Sequence, residues 1–378
     1  MQNIDIIRKY AQSFKAKKFI ECGYIAVRDN DGIIITVTKA DFDNLKDDDA
    51  VFVNDKNIDS FEGNFRAAAV ILFCAIRQDK HARAAVIADS DAILKFSSKR
   101  KSLMPIIDEV AQLCGISVKC ATKNVAAEVV TSLSGCRNAC FMPDAGAVIK
   151  ARSLKEAFDA TAVLDKACTA QLIADNCGND TQHINMFGAL IEQTVFRFKT
   201  AKELKNQTEG GDNNASETAA QSQPSAQPDA IAEDAQSEQT EEQERTEETN
   251  QPETSEESDG NGECELGKAT EFALFKDESQ EEVALLLHPF YASVLSAMGK
   301  PMPVPEEFKE ELGEEIPCAA SAMTCTKRAV KNVCEVIGES PACFIAGHGV
   351  VVRGSDADDA LEVCRTLEKA CKKFIESK

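Results

Sequence analysis

No apolar run in this 378-residue chain approaches the roughly 20 residues that a bilayer-spanning helix needs. The first ten residues, Met1 to Tyr10, are charged and amphipathic, without the apolar centre and cleavage-like site of a secretory leader. The expectation is a soluble, cytoplasmic protein with no membrane partner. Clustered Lys and Arg are also missing, and a nucleic-acid surface needs them to neutralise phosphates. Nucleic acid is therefore not an expected partner. Neither Gly-x-Gly-x-x-Gly nor Gly-x-x-x-x-Gly-Lys-Ser/Thr occurs, which argues against a nucleotide-binding enzyme. Fifteen cysteines are present but no Cys-x-x-Cys pair. Cys74, Cys140, Cys343 and Cys371 sit in apolar periodic runs, so they are expected to be buried thiols acting as small hydrophobes.

Acidic charge is abundant, and it is concentrated in one place. Of the net −21, the stretch from Asn206 to Glu263 holds seventeen Asp/Glu against Arg245 alone. Ile231 is the one large aliphatic residue before Gly262. Such a segment buries too little apolar area to offset the entropy of ordering, so a disordered acidic linker is expected over 206–263. It divides the chain into domains at 1–205 and 264–378.

In the first domain, apolar spacing predicts a helix over 4–19, and strands at 24–27, 33–37 and 50–53. An apolar helix over 65–77 and a buried strand at 84–88 follow. The pattern then gives helices over 102–114 and 122–134, with a short strand at 116–120 between them. Strands at 139–142 and 147–149 precede a long helix that Ser153 caps, running towards Ala174. After a hairpin-like start, helices alternate with strands. That order predicts a three-layer α/β/α domain around a mixed sheet.

The chain also resembles itself. Gly146-Ala-Val-Ile-Lys150 lines up with Gly349-Val-Val-Val-Arg353 at an offset of 203 (349 − 146). The same offset carries Ala139-Cys140-Phe141 onto Ala342-Cys343-Phe344, and Leu164-Asp-Lys-Ala-Cys168 onto Leu367-Glu-Lys-Ala-Cys371. Upstream, Gly115 to Cys120 resembles Gly313 to Cys318 in a looser register. The C-terminal region thus repeats the later part of the first domain and lacks its opening third.

Two stretches of the C-terminal copy point to a family. One is the apolar Leu285-Leu-Leu-His288-Pro-Phe-Tyr-Ala292; the other is Phe344-Ile-Ala-Gly347-His348-Gly349-Val-Val-Val-Arg353-Gly354. In the first copy, Gly23-Tyr24-Ile25-Ala26-Val27-Arg28, Asp31-Gly32, Ile35-Thr36 and Asp48-Asp49-Ala-Val-Phe-Val53 supply the opening strands. Together these resemble the class II aldolase/adducin family, as one full and one partial copy.

The resemblance implies a site in which three His hold a divalent metal, commonly zinc, that polarises a carbonyl during carbon–carbon cleavage. A Glu would move the proton, and Asn and Ser would hold a substrate phosphate. In the first copy those positions read Tyr24, Ala26, Arg66 to Ala69, Val86 to Ser90 in either of two registers, and Ala145, so all three imidazoles are lost and no site of the family type remains there. In the second, His348 takes the third ligand position and His288 the second, while Leu286 replaces the first. His288 and His348 are therefore the candidate metal ligands, with a third donor open among Glu265, Glu271, Cys318 or another region. His81 and His183 are expected to be solvated or structural.

Two functions follow as expectations. One is a pseudoenzyme or binding protein with a vestigial metal site. The other is a metal-dependent lyase acting on a sugar phosphate or related hydroxy-carbonyl compound. The resemblance also implies a small carbonyl or sugar-phosphate ligand and a homo-oligomer.

Overall fold

The computed structural model of the chain describes residues 2–21, 23–176, 181, 183–184, 186–209, 270–271, 283–322 and 326–377. Met1–Ala201 and Cys264–Lys378 form one compact unit, and Lys202–Glu263 a second. From residue 210 the expected acidic linker lies outside the described residues.

The chain opens with helix α1 (Gln2–Ala16), then strands β1 (Tyr24–Asp29), β2 (Gly32–Thr36) and β3 (Ala50–Val53). Helix α2 (Gly63–Gln78), strand β4 (Ala84–Ala88), helix α3 (Asp91–Ser98), strand β5 (Lys119–Cys120) and helix α4 (Ala126–Ser132) come next. The hairpin β6 (Ala139–Met142) and β7 (Gly146–Ala151) leads into α5 (Leu154–Asn176) and α6 (Met186–Glu209). These strands make a seven-stranded sheet, ordered β3-β2-β1-β4-β7-β6-β5 and antiparallel except for the parallel β5–β6 pair.

Alternation along the strands builds the layers. Ile25, Val27, Val86, Phe141 and Ile149 face one core with α1, α3 and α5. Tyr24, Ala26, Ile87, Cys140 and Val148 face the other with α2 and α4. This is the mixed-sheet α/β/α sandwich that the sequence predicts.

The second sheet holds β8 (Thr270–Glu271), β9 (Val283–Leu287), β12 (Cys318–Ala319), β13 (Ala342–Ile345) and β14 (Gly349–Gly354), ordered β12-β13-β14-β9-β8. Helix α7 (Phe290–Ser296) follows β9. A small ladder of β10 (Met302–Pro303) and β11 (Glu315–Ile316) brackets α8 (Lys309–Leu312). Helices α9 (Lys327–Val336) and α10 (Ala357–Glu376) lie on opposite faces: Val333 packs with Leu286, whereas Leu367 packs with Leu287 and Phe344.

The internal similarity is realised strand by strand. Ala139 pairs with Ile149 and Phe141 with Ala147; at the same offset Ala342 pairs with Val352 and Phe344 with Val350. The looser alignment also holds, because Cys120 pairs with Phe141 as Cys318 pairs with Phe344. Gly115 and Gly313 both turn at positive φ, +103° and +80°, as residues ending a helical segment do. The long helices match too. Asp165 of α5 bonds the Ser90 hydroxyl that caps α3, and Glu368 of α10 accepts from the Tyr291 and Ala292 amides at the start of α7.

Three expectations need correction. The helix expected over 102–114 forms only in its second half, over 108–114. Leu103 instead bridges Val118, Pro105 interrupts the run, and the helical turn that follows from Asp108 is π-helical over Val110–Cys114. Helix α3 is not among the expected elements, although Ser90 caps it and Ile93 and Phe96 are buried at helical spacing. Helix α6 is likewise an addition.

The two sheets share hydrophobic contacts. Val294 and Ala297, in and just after α7, join the core cluster of α1 and α5, while Ala174 of α5 joins the cluster under the second sheet. A proteolytic cut near Pro228 should therefore leave two fragments that elute together on size exclusion. Two separate peaks would contradict this packing.

Candidate functional site at the junction of the two sheets

Strand β9 ends at Leu287 and delivers His288 just before Pro289, the N-cap of α7. His348 lies in the turn between β13 and β14, flanked by Gly347 at φ +73° and Gly349. Pairing of Leu287 with Val350 brings the two histidines together. Their rings meet edge to face, centroids 4.7 Å apart. His288 Nδ1 lies 2.9 Å from the His348 carbonyl oxygen and donates to it, which leaves the lone pair of the neutral ring on Nε2.

The other wall comes from the first copy, at the start of its short helical turn over 108–114. The Asp108 amide donates to the Gly347 carbonyl at 3.0 Å, so the start of this helical turn docks backbone to backbone on the Gly-His-Gly turn. Asp108 Oδ2 then lies 2.7 Å from His348 Nδ1, with the two side chains 7% and 6% exposed. The contact is an ion pair off the ring N–H direction, since Nδ1 has no aligned hydrogen bond. Glu109 Oε1 is 4.0 Å from His288 Nδ1, and its Oε2 is 3.8 Å from Lys166 Nζ. Lys166, on α5, also donates to the His288 carbonyl at 3.2 Å.

These contacts treat the two imidazoles differently. Burial pulls the His288 pKa below its usual value, and Glu109 only partly opposes this. Burial also works against charging His348, but Asp108, with Glu109 and Glu192 beyond it, outweighs burial and raises the pKa. The two shifts run in opposite directions, His288 towards the neutral form and His348, beside the buried Asp108 carboxylate, towards the charged form. Nε2 of His348 and Oε2 of Glu109 are buried without a hydrogen-bond partner.

The structure thus brings His288 and His348 together, as their sequence positions imply. Asp108, Glu109 and Lys166 are additions that sequence reasoning does not single out. The available signal is an acidic pair between Ile106-Ile107 and Val110, because apolar flanks bury such carboxylates. Of the third-donor candidates, Glu265 lies outside the described residues, and Glu271 sits in β8 opposite Leu285. Cys318, on β12, has its thiol pKa pushed up to about 11 by burial. His81 and His183 are both exposed.

The equivalent place in the first copy is closed over. The Tyr24 hydroxyl bonds Thr38 Oγ1 at 2.9 Å, Ala26 and Ala88 are buried in the sheet, and Arg66 pairs outward with Asp59 at 2.6 Å.

The family "Class II Aldolase and Adducin N-terminal domain" matches residues 9–172 and 272–375, over half of the chain. The chain belongs to this family. Among solved structures, an L-fuculose 1-phosphate aldolase is 18% identical, with 51% of this chain and 96% of that chain covered at a TM-score of 0.45. The L-fuculose-1-phosphate aldolase of Thermus thermophilus is 21% identical, covering 46% and 94% at 0.39. The L-fuculose 1-phosphate aldolase of Glaciozyma antarctica is 16% identical, covering 54% and 88% at 0.41. No curated protein sequence matches the chain. Among the described residues, no helix is long and apolar enough to cross a membrane.

Proposed function

We propose that this chain is a class II aldolase-like pseudoenzyme, a cytoplasmic binding protein whose remaining imidazoles hold its two copies together. The observation that carries this reading is the Asp108–His348 pair. A carboxylate from the first copy occupies the side of the imidazole that faces it, and Lys166 and Glu109 complete a polar seam around His288. A buried charge that is paired this way acts as a positioning device, because any other docking of the copies leaves it unpaired.

Members of the family typically depend on a divalent metal, and His288 and His348 are the residues that would share one here. The donor set does not fit a catalytic zinc. Leu286 stands where the first His would be, and among the described residues no group of three His, Cys, Asp or Glu is arranged to hold an ion. The second reading, a lyase acting on a sugar phosphate or other hydroxy-carbonyl compound, is favoured by the buried, unpartnered His348 Nε2 and Glu109 Oε2. Homo-oligomerisation would be needed if another subunit supplies the missing donors.

Metal analysis of the purified protein, alongside a retro-aldol assay on sugar phosphates, separates the two readings. The expected result is substoichiometric zinc and no cleavage. One zinc per chain, lost in both His288→Ala and His348→Ala, together with cleavage activity, would overturn the pseudoenzyme.

A further inference from the structure

At the opposite end of the first sheet from the lost ligand positions lies a cavity of about 280 Å³. It opens where Ala84 of β4 pairs with Ala151 of β7, whereas Ala88 and Ala147 pair at the other end of the same two strands. Its walls bring together Lys150, Arg152 and Arg197, with Asp79 and Glu156 as counter-charges. We propose that this cavity binds a small oxyanion, a phosphate ester or a dicarboxylate.

Lys150 is the central observation. It sits in the otherwise apolar strand Gly146–Ala151, and its side chain is only 7% exposed. Burying an ammonium is unfavourable unless its donors are met. Lys150 Nζ has three N–H bonds, and among the described residues one of them is used, towards Asp79 Oδ2 at 3.2 Å. The remaining donors sit at the cavity. Arg152 spends Nε on Glu156 at 2.8 Å and one terminal nitrogen on Thr200 at 3.1 Å, which fixes its fork at the wall and leaves its other terminal nitrogen over. The Arg197 guanidinium, on α6, makes no hydrogen bond or ion pair among the described residues.

The surroundings add to the charge excess. Arg28 lies beneath the rim, donating Nε to the Ala82 carbonyl at 2.8 Å and a terminal nitrogen to the Asp79 carbonyl at 2.9 Å. Arg83 follows Ala82, close enough to Arg28 to help lower its pKa, after burial. Three cations thus line the cavity against two carboxylates, with Arg28 and Arg83 nearby, on a chain whose formal net charge is −21. A local positive field in an acidic protein concentrates anions at that one place. Arg forks and a buried ammonium are the donors that oxyanions take, as charge-assisted hydrogen bonds. The volume suits a small metabolite rather than a nucleotide-sized ligand.

The test is thermal unfolding of the full chain with increasing inorganic phosphate, or increasing malonate, against potassium chloride at matched ionic strength. A ligand that binds only the folded state raises the midpoint with concentration. The expected result is a dose-dependent rise with at least one anion beyond that in chloride. A phosphate response alone assigns a phosphate ester, and a malonate response alone assigns a carboxylate. Lys150→Met and Arg197→Ala should each weaken the apparent affinity at least tenfold. Arg197 is exposed, so its variant folds even if loss of Lys150 unsettles Asp79. No rise beyond chloride with either anion, or an affinity unchanged in Arg197→Ala, would overturn the proposal.

Discussion

Replacing Asp108 with Asn is expected to lower the unfolding free energy by about 3 kcal/mol near pH 6. The size follows from burial. The Asp108 and His348 side chains are almost wholly out of water, and removing one charge leaves the other without compensation. The imidazole can shed its proton, which keeps the effect at the low end of that seen for buried pairs. The sign with pH is set by the raised pKa of His348. A group whose folded pKa lies above its unfolded value, about 6.5 for His, contributes all its stability below that value. The contribution fades as pH rises through the folded pKa. The gap between wild type and Asp108→Asn should therefore be widest near pH 6 and narrow towards about pH 9. Urea unfolding at both pH values measures it. An equal loss at both would mean that the Asp108 side chain acts through packing or hydrogen bonding and not through charge.

A second measurement ties the pair to docking of the copies. With the linker cut, Asp108→Asn should release the fragments at lower denaturant than the cut wild type. Replacing both partners, as Asp108→Asn with His348→Gln, should recover part of the loss, because no charge is then left buried alone.

Much of the fold can be read from the chain because apolar period and internal similarity agree. The continuous apolar runs Tyr24–Val27, Ala84–Ala88 and Ala139–Met142 are what a sheet covered on both faces requires, and each of these forms a strand. The offset of 203 implies one shared hairpin register, and the pairing of Ala342 with Val352 repeats that of Ala139 with Ile149. What fails has a common cause. Residues 102–114 carry helical spacing, but Leu103 is drawn into a bridge with Val118 and helix begins only at Asp108, whose amide bonds Gly347. Tertiary partners override local preference there.

The same cause hides half of the candidate site. His288 and His348 can be placed from the apolar strand and the Gly-His-Gly turn, since both are local patterns. Asp108 and Glu109 sit about 180 residues from His288 in sequence, and their meeting depends on how the copies dock, which no local pattern encodes. Lys166 lies inside the repeated Leu-Asp-Lys-Ala-Cys stretch, where it reads only as part of a repeat. Its counterpart Lys369 is exposed, so the repeat itself gives no sign that Lys166 is functional. Residues with equivalent positions in the two copies have separated in role according to which copy faces the junction.

Gly146 and Gly349 show the opposite case, two equivalent residues that keep one role. They occupy the same place after the turn in each copy, 203 residues apart (349 − 146). A Cβ on Gly146 would lie 2.1 Å from the Ala88 carbonyl oxygen, and one on Gly349 would lie 2.6 Å from that of Leu287. In each copy the glycine lets the end of the neighbouring strand, β4 or β9, approach β7 or β14. The first copy has no imidazoles, yet the close approach persists. The requirement is therefore the sheet's and not the site's. Gly146→Ala meets backbone, which cannot swing aside, and also holds φ at +90°, a region that side chains disfavour. Overpacking and strain together should destabilise by about 4 kcal/mol. Gly349→Ala lacks the positive φ and should lose about 2 kcal/mol. Its Cβ would also lie 2.5 Å from His288 Nδ1, so the ring must leave its bond to the His348 carbonyl. Thermal unfolding gives the stability terms, and the imidazole proton resonances of His288 report the displaced ring. A stable Gly146→Ala protein would show that the glycine is not needed for closure of the sheet. A Gly349→Ala protein with unmoved His288 resonances would show that β9 can shift without carrying the histidine.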